Sequence, residues 1–288
     1  LVGVCLAERA LKRTNERTEA LGRSRRYHGR KGVARRSRFH EAEGRLARPT
    51  TIVMILSNTG IPHHNTGGFV SHRKFLADKE YGEALDTLVK ACSDMLLISP
   101  DGERIFLGKR KVQPQPDWWF VGGRMFPGET PKESCTRLLK RELGLEISVS
   151  RLRPVCCQSL AWGMREQLPK TNGTTDSQFV LSLQLEETEL EKVVLDEKEY
   201  EASQWVEPQS IVMGNFHPAL KFAVRSLLAA RKFSELKAAV VAAPDNYVEV
   251  AKLAIELVAL TADAPEGESD YRVVAPSLQY ECAVTTML

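Results

Sequence analysis

A glycine pair, Gly122-Gly123, closes a short aromatic run and is followed by charged residues at fixed intervals: Arg124, Glu129, Arg137, Arg141 and Glu142, with Gly144 just beyond. Each residue type has a chemistry. An arginine makes paired, charge-assisted bonds to phosphate oxygens. A carboxylate supplies the hard oxygen that Mg2+ prefers. His217, before Pro218, belongs to the residue type whose unperturbed pKa suits a general base near neutrality. A histidine at a helix start can equally be a cap. On a helix, Leu138 and Glu142 are i,i+4 neighbours, and Arg141 stands beside Glu142. One carboxylate is then left with a cation next to it, which opposes a second metal by charge repulsion.

These residues need a strand, a turn and a helix to hold them. Trp118-Trp119-Phe120-Val121 reads as a strand whose tryptophans alternate between faces, one for the core and one free to stack on a base. Thr130 followed by Pro131 is a helix start, and Glu133 completes a capping box. The helix runs to about Leu143 and Gly144 stops it. Glu133 and Arg137 are spaced for an ion pair along it. Upstream, a helix is expected from Tyr81, with Ala84, Leu85, Leu88, Val89 and Cys92 on one face. Strands at 94–99 and 104–109 flank the turn Pro100-Asp101-Gly102-Glu103. Downstream come strands at 146–158 and 177–186 around a loop at 161–176, then Gln204-Trp205-Val206, and helices at 219–231 and 247–260. Residues 261–288 read as acidic and irregular. This order is an α+β sandwich pattern.

The run from Gly123 to Leu145 resembles the Nudix box, G-x5-E-x7-R-E-U-x-E-E-x-G-U with U aliphatic. Gly123, Glu129, Arg137, Leu139, Glu142, Gly144 and Leu145 fall in register. Two family carboxylates are replaced, by Leu138 and Arg141. The resemblance implies an α/β/α sandwich with a mixed sheet, and hydrolysis of a nucleoside diphosphate linked to another moiety. Leu after the box Arg, with the last Glu kept, is similar to the GDP-mannose mannosyl hydrolase branch, which uses one Mg2+. Leu107-Gly108-Lys109-Arg110, Trp119-Phe120-Val121 and Asn172-Gly173-Thr174 extend that likeness, with Gln204-Trp205-Val206 and Asn215-Phe216-His217. It implies that Glu142 and the Gly123 carbonyl hold Mg2+, that Arg124 contacts the diphosphate, and that His217 is the general base. Arg110 and Trp119 would contact substrate, and Glu129, Arg137 and Gly144 would be structural. The branch's further Arg, His and Tyr appear here as Gln113, Gln178 and Ser203, with Tyr200 close by. Loss of two carboxylates also fits a Nudix-fold module that binds nucleotides without turnover.

The chain has 288 residues and a net charge of +3. Residues 1–53 hold 14 Lys/Arg and 5 Asp/Glu, so the rest is mildly acidic. A transit peptide, a nucleic-acid arm and a solvated leader ahead of Met54 remain open for that segment. Residues 54–91 are expected to be an N-terminal segment with a helix, 92–232 the Nudix domain, and 233–288 a helical extension and tail. No run of about 18 apolar residues exists, so no spanning helix is expected. Six cysteines without metal-ligand spacing fit a reduced cytoplasmic or organellar compartment. The expected partner is a small-molecule nucleoside diphosphate derivative, not a membrane or nucleic acid, and a homodimer is left open.

Overall fold

The computed structural model describes residues 61–262 and two short strands, Asp270–Val274 and Gln279–Ala283. The readings of residues 1–53 lie outside the described residues.

The first helix, α1, spans Asp78–Leu85. It is shorter than the apolar spacing suggests. Leu88 and Val89 are exposed, and Cys92 lies in a strand, β1 (Lys90–Ile98). Tertiary pairing overrides the helical period here: Lys90 through Asp94 pair in parallel with Asp176 through Val180, and Lys90 makes a 3.0 Å ion pair with Asp176.

The chain then forms β2 (Ile105–Arg110), β3 (Trp118–Trp119), β4 (Val121–Arg124) and helix α2 (Pro131–Leu143). Next come β5 (Arg153–Trp162), β6 (Thr174–Gln184), a short α3 (Glu187–Leu190) and β7 (Tyr200–Val206). Strand β5 begins later than residue 146, because residues 149–151 form a 3-10 turn. Helices α4 (Pro208–Met213), α5 (Pro218–Ala242) and α6 (Tyr247–Ala262) follow. Helix α5 runs unbroken through residues 232 and 233, where the sequence suggested a boundary. Lys232 ties it to Glu256 of α6 at 2.9 Å. The tail expected to be irregular contains an antiparallel pair, β8 (Asp270–Val274) with β9 (Gln279–Ala283).

Seven strands form one mixed sheet, ordered β3-β2-β1-β6-β5, with β4 on β1 and β7 on β2. One edge of β1 is forked. β2 pairs only with its end, at Leu97 and Ile98, whereas β4 pairs with Cys92 through Met95. β4 and β2 diverge from this edge as a wedge, spanned by β3, which pairs with β2 at Gly108 and Lys109.

Helices cover both faces. Cys135, Leu138, Leu139 and Leu143 of α2 pack on Met95, Leu97, Val121 and Leu181. Leu220, Ala223, Val224 and Leu227 of α5, with Ile211 of α4, pack on Leu96, Ile105, Leu107 and Val180. This is the α/β/α sandwich. Burying a leucine contributes roughly 1.5–3 kcal/mol, so the two layers fix where α2 sits over the sheet.

Candidate functional site

Helix α2 starts as its sequence specifies. Thr130 Oγ1 accepts from the Glu133 N–H, and the Thr130 N–H donates to Glu133 Oε2 at 2.8 Å. It ends on Gly144 at φ 69°, a left-handed position that glycine adopts without strain. Arg137 does not pair with Glu133, whose carboxylate is engaged by the cap. It turns back to Glu129 instead, donating Nε to Oε1 at 2.5 Å and Nη2 to Oε2 at 2.8 Å. Arg137 also reaches the Arg124 carbonyl and Ser134 Oγ, both at 3.1 Å. Glu129 Oε2 accepts from the Phe126 N–H. Burial alone would raise the Glu129 pKa, but the bonds from Arg137 and the Phe126 N–H hold it below the usual carboxylate range. This clamp ties the loop after β4 to the first turns of α2. Phe126 is covered by two guanidinium groups, those of Arg73 and Arg137.

Glu142 sits at the other end of the helix with its side chain wholly buried. Oε1 accepts from Arg141 Nη2 at 2.5 Å and Oε2 from the Tyr200 hydroxyl at 2.6 Å. Burial raises its pKa, the Glu199 charge adds to the rise, and the Tyr200 and Arg141 bonds oppose it. Tyr200 fits here because Gly108, on the adjacent β2, has no side chain; a Cβ there would lie 2.5 Å from the ring. Glu199 bridges two guanidinium groups, Arg141 at 3.7 Å and Arg110 at 3.6 Å. Arg110, Arg141, Glu142, Glu199 and Tyr200 therefore form one polar cluster beside the β4 end of the wedge. A Cβ on Gly123 would lie 3.7 Å from Arg141 Nη2 and 3.6 Å from Leu138.

Arg141 is the residue that lies near both Glu142 and Gly123: its Nη2 bonds Glu142 and would be 3.7 Å from a Cβ on Gly123. Both oxygens of Glu142 are engaged, Leu138 is fully buried in the core, and the described residues contain no group of three acidic, His or Cys side chains able to hold a metal. As folded, this set does not fit Mg2+, since a guanidinium already takes the position beside the carboxylate.

The opposite face of the sheet carries a second polar cluster that the sequence did not reveal. Asp94 is buried and accepts from Gln178 Nε2 at 2.9 Å, and Gln178 in turn accepts from Gln158. Burial pushes the Asp94 pKa up to about 7. Asp94 lies over Gly122, where a Cβ would be 2.5 Å from its Oδ1. The signal available in the sequence was an acid among apolar residues in a strand.

His217 is on this side too. It is buried, and its Nδ1 accepts from the Ala219 N–H, capping α5. A neutral ring bonded so carries its proton on Nε2. Burial lowers its pKa to about 4. Trp119 is 3% exposed and packs edge-on against Phe120, Trp162 and His217. It is core wall rather than an open stacking platform, and Trp118 is the half-buried member of the pair. Arg124 is exposed, with its guanidinium 4.7 Å from the centre of the Tyr81 ring.

The NUDIX domain family model matches residues 91–227. The match covers just under half of the chain. Two curated proteins are similar to it. An RNA pyrophosphohydrolase of Gluconobacter oxydans is 25% identical over 166 residues, covering 54% of this chain and 90% of that protein. The nucleoside triphosphatase NudI of an Enterobacter species is 28% identical over 97 residues, covering 33% of this chain and 64% of that protein. Among solved structures, a MutT NUDIX hydrolase from Burkholderia pseudomallei aligns at a TM-score of 0.39 and 17% identity, covering 49% of this chain and 98% of its own. The segment similar to the NUDIX domain family spans the β1–β7 sheet, the helices α2, α3 and α4 and the start of α5. Among the described residues, no helix is long and apolar enough to cross a membrane.

Proposed function

We propose that this chain hydrolyses a nucleoside diphosphate linked to another moiety, with a nucleotide sugar as its substrate class. The observation that carries the reading is the box geometry. The Glu129–Arg137 clamp and the capped start of α2 anchor the helix whose Leu138 and Arg141 face Gly123 and whose Glu142 pairs with Arg141. The two curated relatives are named for hydrolysis at phosphate linkages, a pyrophosphohydrolase and a triphosphatase. The choice of a nucleotide sugar rests on Leu138 and on the likeness to the mannosyl hydrolase branch.

In this reading the exposed Arg124 contacts the diphosphate, and Arg110 lies within the wedge cluster. His217 serves as base only when its ring gives up the Ala219 N–H, because its basic nitrogen is otherwise used. The resemblance brings Mg2+ with it, on Glu142 and the Gly123 carbonyl. Arg141 must leave Glu142 before an ion can take that position, so no step is assigned to a metal here.

The second reading, a nucleotide-binding module without turnover, is favoured by one observation, the seating of Arg141 on the single box carboxylate. One assay separates the two. The full chain is incubated with nucleotide sugars and nucleoside triphosphates, with and without Mg2+, in oxygen-labelled water. Label in a free sugar supports attack at carbon. Label in a phosphate supports cleavage at phosphorus and removes the sugar mechanism. No product from any substrate leaves the binding module.

A further inference from the structure

We infer that Arg141 is an anion-binding residue, which supplies the positive charge for a diphosphate group from the chain itself rather than from a divalent cation. The inference rests on the reading that the ligand carries a diphosphate, and it assigns the residue that meets it.

Three features of the geometry lead there. First, Arg141 is fixed from behind. Nη2 is held by Glu142 Oε1 at 2.5 Å and lies 3.7 Å from Glu199 Oε1. A buried carboxylate orients this guanidinium much as a ligand carboxylate would orient a bound cation. Second, Arg141 is open in front. Its side chain is 49% exposed while that of Glu142 is fully buried, and both ion pairs use the same nitrogen. Among the described residues Nε and Nη1 have no hydrogen-bond partner. Nε and Nη1 lie on different edges of the guanidinium, so each offers N–H to a separate phosphate oxygen. Third, there is room beside it. Gly123 presents no side chain toward Arg141, and any Cβ there would touch the guanidinium nitrogen.

Arg110 adds a second guanidinium on the far side of Glu199. The two arginines are spaced by one shared carboxylate, so an anion with more than one phosphate could be met by both. A diphosphate carries several negative charges, and two fixed guanidinium groups reduce the need for a metal to neutralise them.

The test is calorimetric titration of the full chain with inorganic pyrophosphate, once in EDTA and once in Mg2+. The expected result is binding in EDTA, with an affinity that Mg2+ does not increase. Arg141→Gln should weaken it at least tenfold. Because that variant leaves Glu142 buried without its partner, the double variant Arg141→Gln/Glu142→Gln is titrated beside it, with thermal melting as the check on folding. It should also lose the affinity. Binding that appears only with Mg2+, no binding in either buffer, or wild-type affinity in the folded double variant would each overturn the inference. Arg141-dependent binding in EDTA together with no turnover of any nucleotide would keep the inference and remove the hydrolase reading.

Discussion

Glu129 with Arg137, at one end of the box, and Glu142 with Arg141, at the other, are ion pairs of the same length, 2.5 Å. Their surroundings make them different devices. Glu129 keeps 19% of its side chain in water and is crossed by two arginine nitrogens and a backbone N–H. Its burial cost is outweighed, and its pKa falls. Glu142 has no exposed side-chain surface and takes one arginine nitrogen and one hydroxyl. Its burial cost is not outweighed, and its pKa rises. The first pair closes a loop. The second holds a half-exposed cation toward the wedge. The box spacing keeps Glu129, Arg137 and Glu142 and has Leu138 and Arg141 at its two replaced positions, so burial rather than pair length sets the two ends apart.

The largest expected effect comes from restoring one of the two missing carboxylates. Leu138→Glu would bury a charge in the α2 core, where Leu138 is fully enclosed, and should cost about 4 kcal/mol or more. Chemical denaturation would measure it. A small loss would mean that this face of α2 opens to water.

The two pairs should then fail differently. Arg137→Gln removes charged hydrogen bonds at a partly exposed clamp, for about 2 kcal/mol. Its defect, read by melting against pH, should persist until pH falls below the ordinary carboxylate pKa of about 4.3, since the folded pKa of Glu129 is depressed and its stabilisation is lost only on acidification. Arg141→Gln leaves a buried carboxylate with a raised folded pKa. Its defect should grow as pH rises through that pKa, and should already shrink above the ordinary range as Glu142 takes up a proton. Identical pH profiles would erase the contrast.

The smallest effect is at the start of the same helix. Thr130→Ala removes the N-cap bond to the Glu133 N–H and should cost about 1 kcal/mol with no pH profile of its own. It calibrates the other two variants as a purely local loss.

Much of the scaffold was legible because local rules and tertiary structure agree there. Thr130, Pro131, Glu133 and Gly144 each specify a helix terminus by a local mechanism, and the structure uses all four. The register of Glu129, Arg137 and Glu142 gave the box. What the sequence hid depends on contacts distant in the chain. The Leu88–Cys92 spacing mimics a helix until β6 pairs with residues 90–98. Arg137 has two acidic partners by spacing, and only the cap decides that Glu133 is engaged elsewhere. The Tyr200 hydroxyl reaches Glu142 across 58 residues, through a gap left by Gly108. His217 was legible as either base or cap, and the Ala219 N–H shows the cap.

A guanidinium takes the position beside Glu142 that a metal would need. The most direct test is Mn2+ binding by the full chain without nucleotide, followed by electron paramagnetic resonance, in wild type and in Glu142→Gln. Neither protein should immobilise Mn2+ at this position, so that their spectra match the free ion equally. Tight binding of one Mn2+ by the wild type, lost in Glu142→Gln, would contradict it.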